Sequence, residues 1–234
     1  QMNSSNGLDS IRFEPAVLPE LSFSEIESRV QFLNKPLAFP FLISSMSGGV
    51  READKMNKTL AEAAEDCQVA LGLGSMRIAL EQKSARSSFN LRSIAPTIPI
   101  LANIGGTQLV QRNGISDALR CIELAEADGI YVHLNVLQEL LQPGGDRDWR
   151  GVSAAIKELV SKSPVPVFVK EVGHGISASS AQILSDLGIS WIDVAGTGGT
   201  SWSQIEHTRS GARGTSAFVE WGVKTREAIE AIRG

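Results

Sequence analysis

The chain has 234 residues, 42% of them hydrophobic, and a mean hydropathy near zero, the profile of a water-soluble globular protein. Its 22 basic and 26 acidic residues leave a net charge of −4, so there is no electrostatic case for nucleic acid or for an anionic membrane as partner. No apolar run approaches the roughly 18 residues of a membrane span, nothing follows the basic-then-apolar order of a secretory leader, and the two cysteines, Cys67 and Cys121, read as buried reduced thiols, which points to the cytoplasm.

Residues 1–39 read as an N-terminal segment packed on the domain that follows. Leu8–Pro15 and the acidic stretch Leu21–Ser28 form a layer ahead of the first core strand. From residue 40 to 234 one unit repeats: a short apolar run ends in Gly, Ser, Asn or Thr, and a segment of helical period follows. The predicted strands are Phe41–Met46, Ala70–Ser75, Ile98–Gly105, Ile130–Asn135, Val165–Val172 and Trp191–Thr197. Between them, Ala53, Met56, Leu60, Ala64 and Cys67 make one apolar stripe, and Ile115, Ala118, Leu119 and Ile122 a second. Val152, Ile156, Leu159 and Val160 make a third; Ile183, Leu184 and Leu187, stopped by Gly188, make a fourth. A last helix covers Thr225–Arg233. Pro40, Pro99 and Pro166 stand at strand starts, where a missing N–H is tolerated.

Six βα units in series argue for a parallel sheet covered by helices. No Gly-x-Gly-x-x-Gly follows the first strand, which weighs against a dinucleotide fold. Polar, glycine-rich residues follow every strand instead, as in a (β/α)8 TIM barrel whose loops feed one mouth. The expected fold is that barrel, with about six of its eight units in these residues and the last two lacking.

The polar residues at these strand ends carry the chemistry. Along Tyr131–Glu139, Tyr131, His133 and Asn135 share one face and Val132 and Leu134 the other. An imidazole and an amide on an inward face must be paired or used. Gln138 and Glu139 follow within one turn. Lys170 interrupts an apolar strand and suits a developing negative charge; the alternative is a structural ion pair, for which adjacent Glu171 faces the wrong way. The glycine-rich segments around Ser45-Met46-Ser47, Ser75-Met76-Arg77 and Gly198-Gly199-Thr200 let backbone approach a large flat ligand, or serve as tight turns. Asn103 ends another strand and either donates to a ring carbonyl or satisfies a turn. Arg77 could bind an anion. Asp193 reads as support for its neighbours. Glu139 is the best metal candidate, the alternative being a helix-N-terminal carboxylate. His174 and His207 read as ordinary loop residues, and the three histidines have no zinc spacing.

His133-Leu134-Asn135-x-x-Gln138-Glu139 together with Val169-Lys170-Glu171-Val172-Gly173 closely resembles the type 2, flavin-dependent isopentenyl diphosphate isomerases. Further matching pieces run almost the length of the chain: Gly7–Phe13, Ile43–Gly49, Leu73–Arg77, Ala102–Gly105, Gln142–Arg147, Asp193–Trp202 and Glu220–Gly222. The resemblance implies a (β/α)8 barrel binding FMN, and interconversion of isopentenyl and dimethylallyl diphosphate with Mg2+ and with flavin kept reduced by NADPH or NADH. It implies Ser45, Met46, Ser47, Ser75, Asn103, Lys170 and Thr200 on FMN. It implies Arg77, His133, Asn135 and Gln138 on the isoprenoid diphosphate, Gln138 and Lys170 as catalytic groups, and Glu139 on the metal. It also implies a homotetramer or larger homo-oligomer. Two family features find no match here: a basic Arg-Lys…His segment near the N-terminus and a Gly-Gly phosphate loop from the later strands. Gly145 stands where the family usually has an acidic residue. The competing readings are another FMN-dependent barrel oxidoreductase, such as a 2-hydroxy-acid dehydrogenase, and a non-catalytic barrel remnant.

Overall fold

The computed structural model describes residues 5–45, 51–211 and 217–233. After two short 3-10 turns, Leu8–Ser10 and Phe23–Glu25, comes a hairpin in which β1 (Val30–Phe32) pairs antiparallel with β2 (Lys35–Leu37). The two turn residues, Leu33 and Asn34, have φ of 51° and 61°. A left-handed pair of this kind matches the twist of the flanking strands. Thereafter strands and helices alternate: β3 (Leu42–Ile43), α1 (Arg51–Cys67), β4 (Ala70–Gly72), α2 (Arg77–Glu81), β5 (Ile100–Gly105), α3 (Gly114–Ala125) and β6 (Gly129–His133). Then come α4 (Val136–Leu141), α5 (Val152–Lys162), β7 (Val167–Lys170), α6 (Ala178–Asp186), β8 (Trp191–Asp193), α7 (Trp202–Arg209) and α8 (Thr225–Arg233).

Strands β3 to β8 lie in one sheet in sequence order, and β3–β4, β4–β5 and β7–β8 pair parallel. A parallel neighbour requires a crossover, and here helices supply it. The α/β class and all six predicted strand positions therefore stand. The strands are shorter than predicted, because their polar, glycine-rich ends leave the ladder. The described sheet has six strands, the number of units expected of these residues.

The chain divides into two compact units. One comprises Ile11–Asn103 and Arg120–Ile130; the other comprises Gln1–Ser10, Ile104–Leu119 and Tyr131–Gly234. In the first unit, Phe89, Leu71, Met76, Leu91, Ile98, Ile100 and Leu101 are fully buried. A polar knot closes it: Asp128 accepts from Lys35 Nζ at 2.9 Å, Arg92 Nη2 at 2.7 Å and the Ile100 amide at 2.9 Å. Burial pushes the Asp128 carboxyl up, but Lys35, the Ile100 amide and Arg92 together hold it below the usual aspartate value.

The buried face of α1 is rotated from the predicted stripe. Ala53, Asn57, Ala61 and Ala64 are buried, whereas Met56 and Cys67 are exposed. Small side chains let a helix approach closely, and Asn57 belongs among them because its Nδ2 donates to the Ser88 carbonyl at 3.0 Å. Cys67 is thus exposed, not buried as expected; Cys121 is buried, as expected. Helices α2, α4 and α7 and the hairpin lack a long apolar period and were not among the predicted stripes.

Candidate active site

In the second unit, β6 and β7 alternate side chains so that one face builds two layers. The lower layer is aromatic: Tyr131 meets Phe168 edge-on at 5.5 Å, and Phe168 stacks on Trp191 at 5.5 Å. Two residues further along each strand stand His133, Lys170 and Asp193, with Lys170 opposite Asp193 in the parallel register. The same alternation that buries the aromatic rings thus carries an imidazole, an ammonium and a carboxylate to one level.

Electrostatics tie this layer together. Lys170 is 3% exposed, and its Nζ donates to the Glu171 carbonyl at 2.9 Å. Burial lowers its pKa, an effect opposed by the charges of Asp193 and Glu171. Burial, reinforced by the Lys170 charge, depresses His133 to about 3. The imidazole is thereby held neutral. Burial and then Asp193 push the Tyr131 phenol up, so it stays protonated. Glu171 is not the carboxylate partner of Lys170: its Oε2 turns back to accept from the amides of Val172, Gly173 and His174 at 2.7, 2.8 and 2.5 Å. Gly105 explains itself here, because a Cβ on it would lie 3.0 Å from Gln108 Oε1 and 3.1 Å from His133 Nε2.

Asn135 lies just past β6 and begins α4, with φ −121° and ψ 47°, yet its side chain does not cap the helix. The 5%-exposed amide instead donates to Gln138 Oε1 at 3.1 Å and Glu139 Oε1 at 2.9 Å. Glu139 Oε2 accepts from the Asp146 amide at 2.7 Å, and Asp146 in turn accepts from Thr107 Oγ1 at 3.0 Å. Asn135, Gln138 and Glu139 are therefore one hydrogen-bonded group. Among the described residues no cluster of three or more His, Cys, Asp or Glu is arranged to hold a metal. Gly145 is pressed against Glu139: a Cβ there would come within 2.2 Å of the Glu139 carbonyl oxygen. No side chain fits at that position in this arrangement.

The first unit holds the remaining predicted residues. Ser45 is 6% exposed and its Oγ is buried without a partner. Gly72 faces it, and any Cβ on Gly72 would lie 2.5 Å from that Oγ. Asn103 is buried and donates to the Leu73 carbonyl at 2.9 Å, the turn-satisfying role. Ser75 is half-buried. Arg77 is exposed at the start of α2 and pairs with Glu81 at 2.9 Å. Thr200, in the second unit, is exposed. Met46 and Ser47 lie outside the described residues.

Two sequence expectations are corrected here. His174 is no ordinary loop residue: it is 5% exposed, and its Nε2 lies 2.9 Å from Ser203 Oγ. His207 lies within α7 rather than a loop. His174 stands between Gly173 and Gly175, whose φ values are +135° and +82°. A cavity of about 610 Å³ in the second unit opens beside Leu134, Trp149, Ile156 and Ile176. His133, Asn135 and Lys170 do not line it.

The chain is 49% identical over 234 residues to the isopentenyl-diphosphate delta-isomerase of Pseudescherichia vulneris, covering 98% of this chain and 67% of that protein. It is 45% identical over 235 residues to the enzyme of the same name from Stutzerimonas stutzeri (strain A1501), covering 98% and 68%. Among solved structures it resembles a mandelate oxidase variant with 3,3,3-trifluoro-2,2-dihydroxypropanoic acid, with a TM-score of 0.54 at 15% identity over 80% of this chain and 56% of that one. A mandelate oxidase variant with the monooxide FMN adduct gives 0.50 at 16% identity over 73% and 51%. The chain spans about two thirds of those curated relatives and about half of those solved chains, and the structural likeness concerns fold alone. No family model matches.

Proposed function

The chain belongs to the isopentenyl-diphosphate delta-isomerase family, and we propose that it is a flavin-dependent, type 2 member, interconverting isopentenyl and dimethylallyl diphosphate with reduced FMN and Mg2+. The observation that carries this reading is Lys170, buried at the end of an apolar strand with its Nζ on the Glu171 carbonyl and level with His133. A buried ammonium is costly unless something negative is brought to it. Asp193 stands opposite it in the register, and a reduced flavin ring would be a further such partner. The residues present fit the cofactor on a second count, the partnerless Ser45 hydroxyl over the bare Gly72. The family resemblance assigns Ser45, Met46, Ser47, Ser75, Asn103, Lys170 and Thr200 to FMN.

Moving a double bond adds a proton at one carbon and removes one from another, with no net oxidation. When bound, reduced FMN supplies an electron-rich ring that can exchange a proton and stabilise the cation-like carbon. The chain's own residues arrange the rest. His133 stays neutral at working pH and so orients substrate as a hydrogen-bond partner rather than protonating it. Gln138 is too weak an acid to drive the step; held by Asn135, it positions the alkene or relays a proton. Lys170 holds the negative charge of the ring. Arg77 releases Glu81 to meet the diphosphate. Glu139 uses each carboxylate oxygen for one N–H and keeps lone pairs for Mg2+, which typically takes one or two carboxylates plus phosphate oxygens. In this reading NADPH or NADH would keep the cofactor reduced in the cytoplasm, and the enzyme would work as a homotetramer or larger assembly, with no membrane or nucleic-acid partner. The eight-stranded barrel belongs to this reading.

The test uses full-length protein, scored for flavin absorbance and then assayed anaerobically with isopentenyl diphosphate and Mg2+. Dimethylallyl diphosphate should form with reduced FMN and not with oxidised FMN. Flavin reduction by a 2-hydroxy acid, with no isomerisation, would transfer the chain to the oxidoreductases. A colourless, inactive protein would make it a non-catalytic relative.

A further inference from the structure

The buried histidine that the mechanism leaves unused joins three segments of the second unit. His174 Nε2 meets Ser203 Oγ at 2.9 Å, and Ser203 Oγ meets Ser201 Oγ at 2.9 Å. The other ring nitrogen, Nδ1, has no hydrogen-bond partner and lies 3.6 Å from Glu171 Oε1. Glu171 itself is anchored by three amides of its own turn. The tautomer this network favours has Ser203 donating to Nε2 and the Nδ1–H facing Glu171. The His174 carbonyl accepts from the Val223 amide at 2.8 Å, and the Val223 carbonyl accepts from the Thr197 amide at 2.8 Å. Gly175 N donates to the Ala195 carbonyl at 3.1 Å. Beside the histidine, Gly173 approaches so closely that a Cβ would lie 2.6 Å from the Thr200 carbonyl oxygen.

The turn after β7, which carries Lys170, and the glycine-rich loop after β8, which carries Thr200, are thus held together through one imidazole. Glycines at 196, 198 and 199 give that loop little conformation of its own. Its position comes from its contacts, Thr197 on Val223 and Gly198 close to the Asn6 backbone among them, and the Ser201–Ser203 end is the one His174 grips. We propose that His174 is a positioning residue for the cofactor site: through Ser203 it sets the loop bearing Thr200 against the end of β7. The cofactor side of this claim rests on the flavin reading above; the loop side does not.

Two measurements on full-length protein separate the claims. The first is FMN affinity of His174→Gln, His174→Asn and His174→Ala, each with and without Thr200→Ala. Glutamine can turn its amide oxygen to the Nε2 position and accept from Ser203 Oγ, so His174→Gln should stay within about twofold of the parent. His174→Asn and His174→Ala lose that bond and should weaken FMN about tenfold, the upper range for one net hydrogen bond. In the Thr200→Ala background the same changes should cost less than about twofold, because the route through the loop is already cut. Equal losses in both backgrounds, or asparagine matching glutamine, would overturn the proposal. The second is hydrogen exchange of the 197–203 amides without flavin. Exchange should speed up in His174→Ala and Ser203→Ala but not in His174→Gln, and unchanged exchange would sink the loop claim. A parent protein that takes up no FMN defeats the flavin reading, while the exchange data still decide whether His174 holds the loop.

Discussion

Lys170 sits in a strand whose other three residues, Val167, Phe168 and Val169, are apolar and buried, so its charge is kept for a purpose. Replacing it by alanine should weaken reduced FMN far more than oxidised FMN, measured by titrating the apoprotein with each form. Equal losses would assign Lys170 to packing. Glu139→Gln removes one negative charge while keeping the shape, so the Mg2+ concentration needed for half-maximal activity should rise; an unmoved titration would take Glu139 out of the metal site. His133 carries a pH signature. Its folded pKa lies below its unfolded value near 6.5, so the unfolded chain binds the proton first as pH falls. The stability the neutral form provides is whole above about 6.5 and drains away down to about 3. Denaturant unfolding of the parent against His133→Gln should show the parent losing up to about 1.4 kcal/mol more per pH unit across that window. Parallel curves would mean the imidazole protonates freely in the fold.

Helix ends show how much of each element was visible beforehand. Helix α6 stops as predicted at Gly188, whose φ of +93° lets its amide reach the Ser185 carbonyl while the Ile189 amide reaches Leu184. That is the paired closure glycine favours. Helix α3 closes the same way on Glu126, with φ 45° and the Ala127 amide on the Ile122 carbonyl at 3.0 Å. A side chain in the left-handed region costs roughly 1 kcal/mol. Glu126→Gly should therefore raise stability by about 1 kcal/mol, and Gly188→Ala should lower it by a similar amount. Thermal unfolding that moved both the same way would contradict the account. The α1 stripe was misjudged because hydrophobicity ranked Met56 above Asn57, and a side chain-to-backbone hydrogen bond reversed the order.

Across the chain, burial is uneven. Strands β5 to β7 are buried almost throughout, whereas Phe13, Val17, Leu18 and Phe23 are exposed in the N-terminal stretch. Amide exchange should be slowest at 100–105, 129–133 and 167–170 and fastest at 11–29. Protection at 11–29 as strong as in the strands would mean that stretch is covered in solution. The repeat of strand and helix, the order of the strands and the polar strand ends could all be read from residue order, because alternation and helical period are local properties of the backbone. So could the family, since His133–Glu139 and Val169–Gly173 are contiguous strings. His174 could not be found that way. Its value comes from Ser203, twenty-nine positions on, and no local pattern records which distant hydroxyl an imidazole will meet. The same holds for Asn135, which caps nothing and instead gathers Gln138 and Glu139. It holds too for the depressed pKa of His133, which depends on burial and on the charge of Lys170 in another strand. Periodicity selects elements, but desolvation and pairing are set by what folding brings alongside.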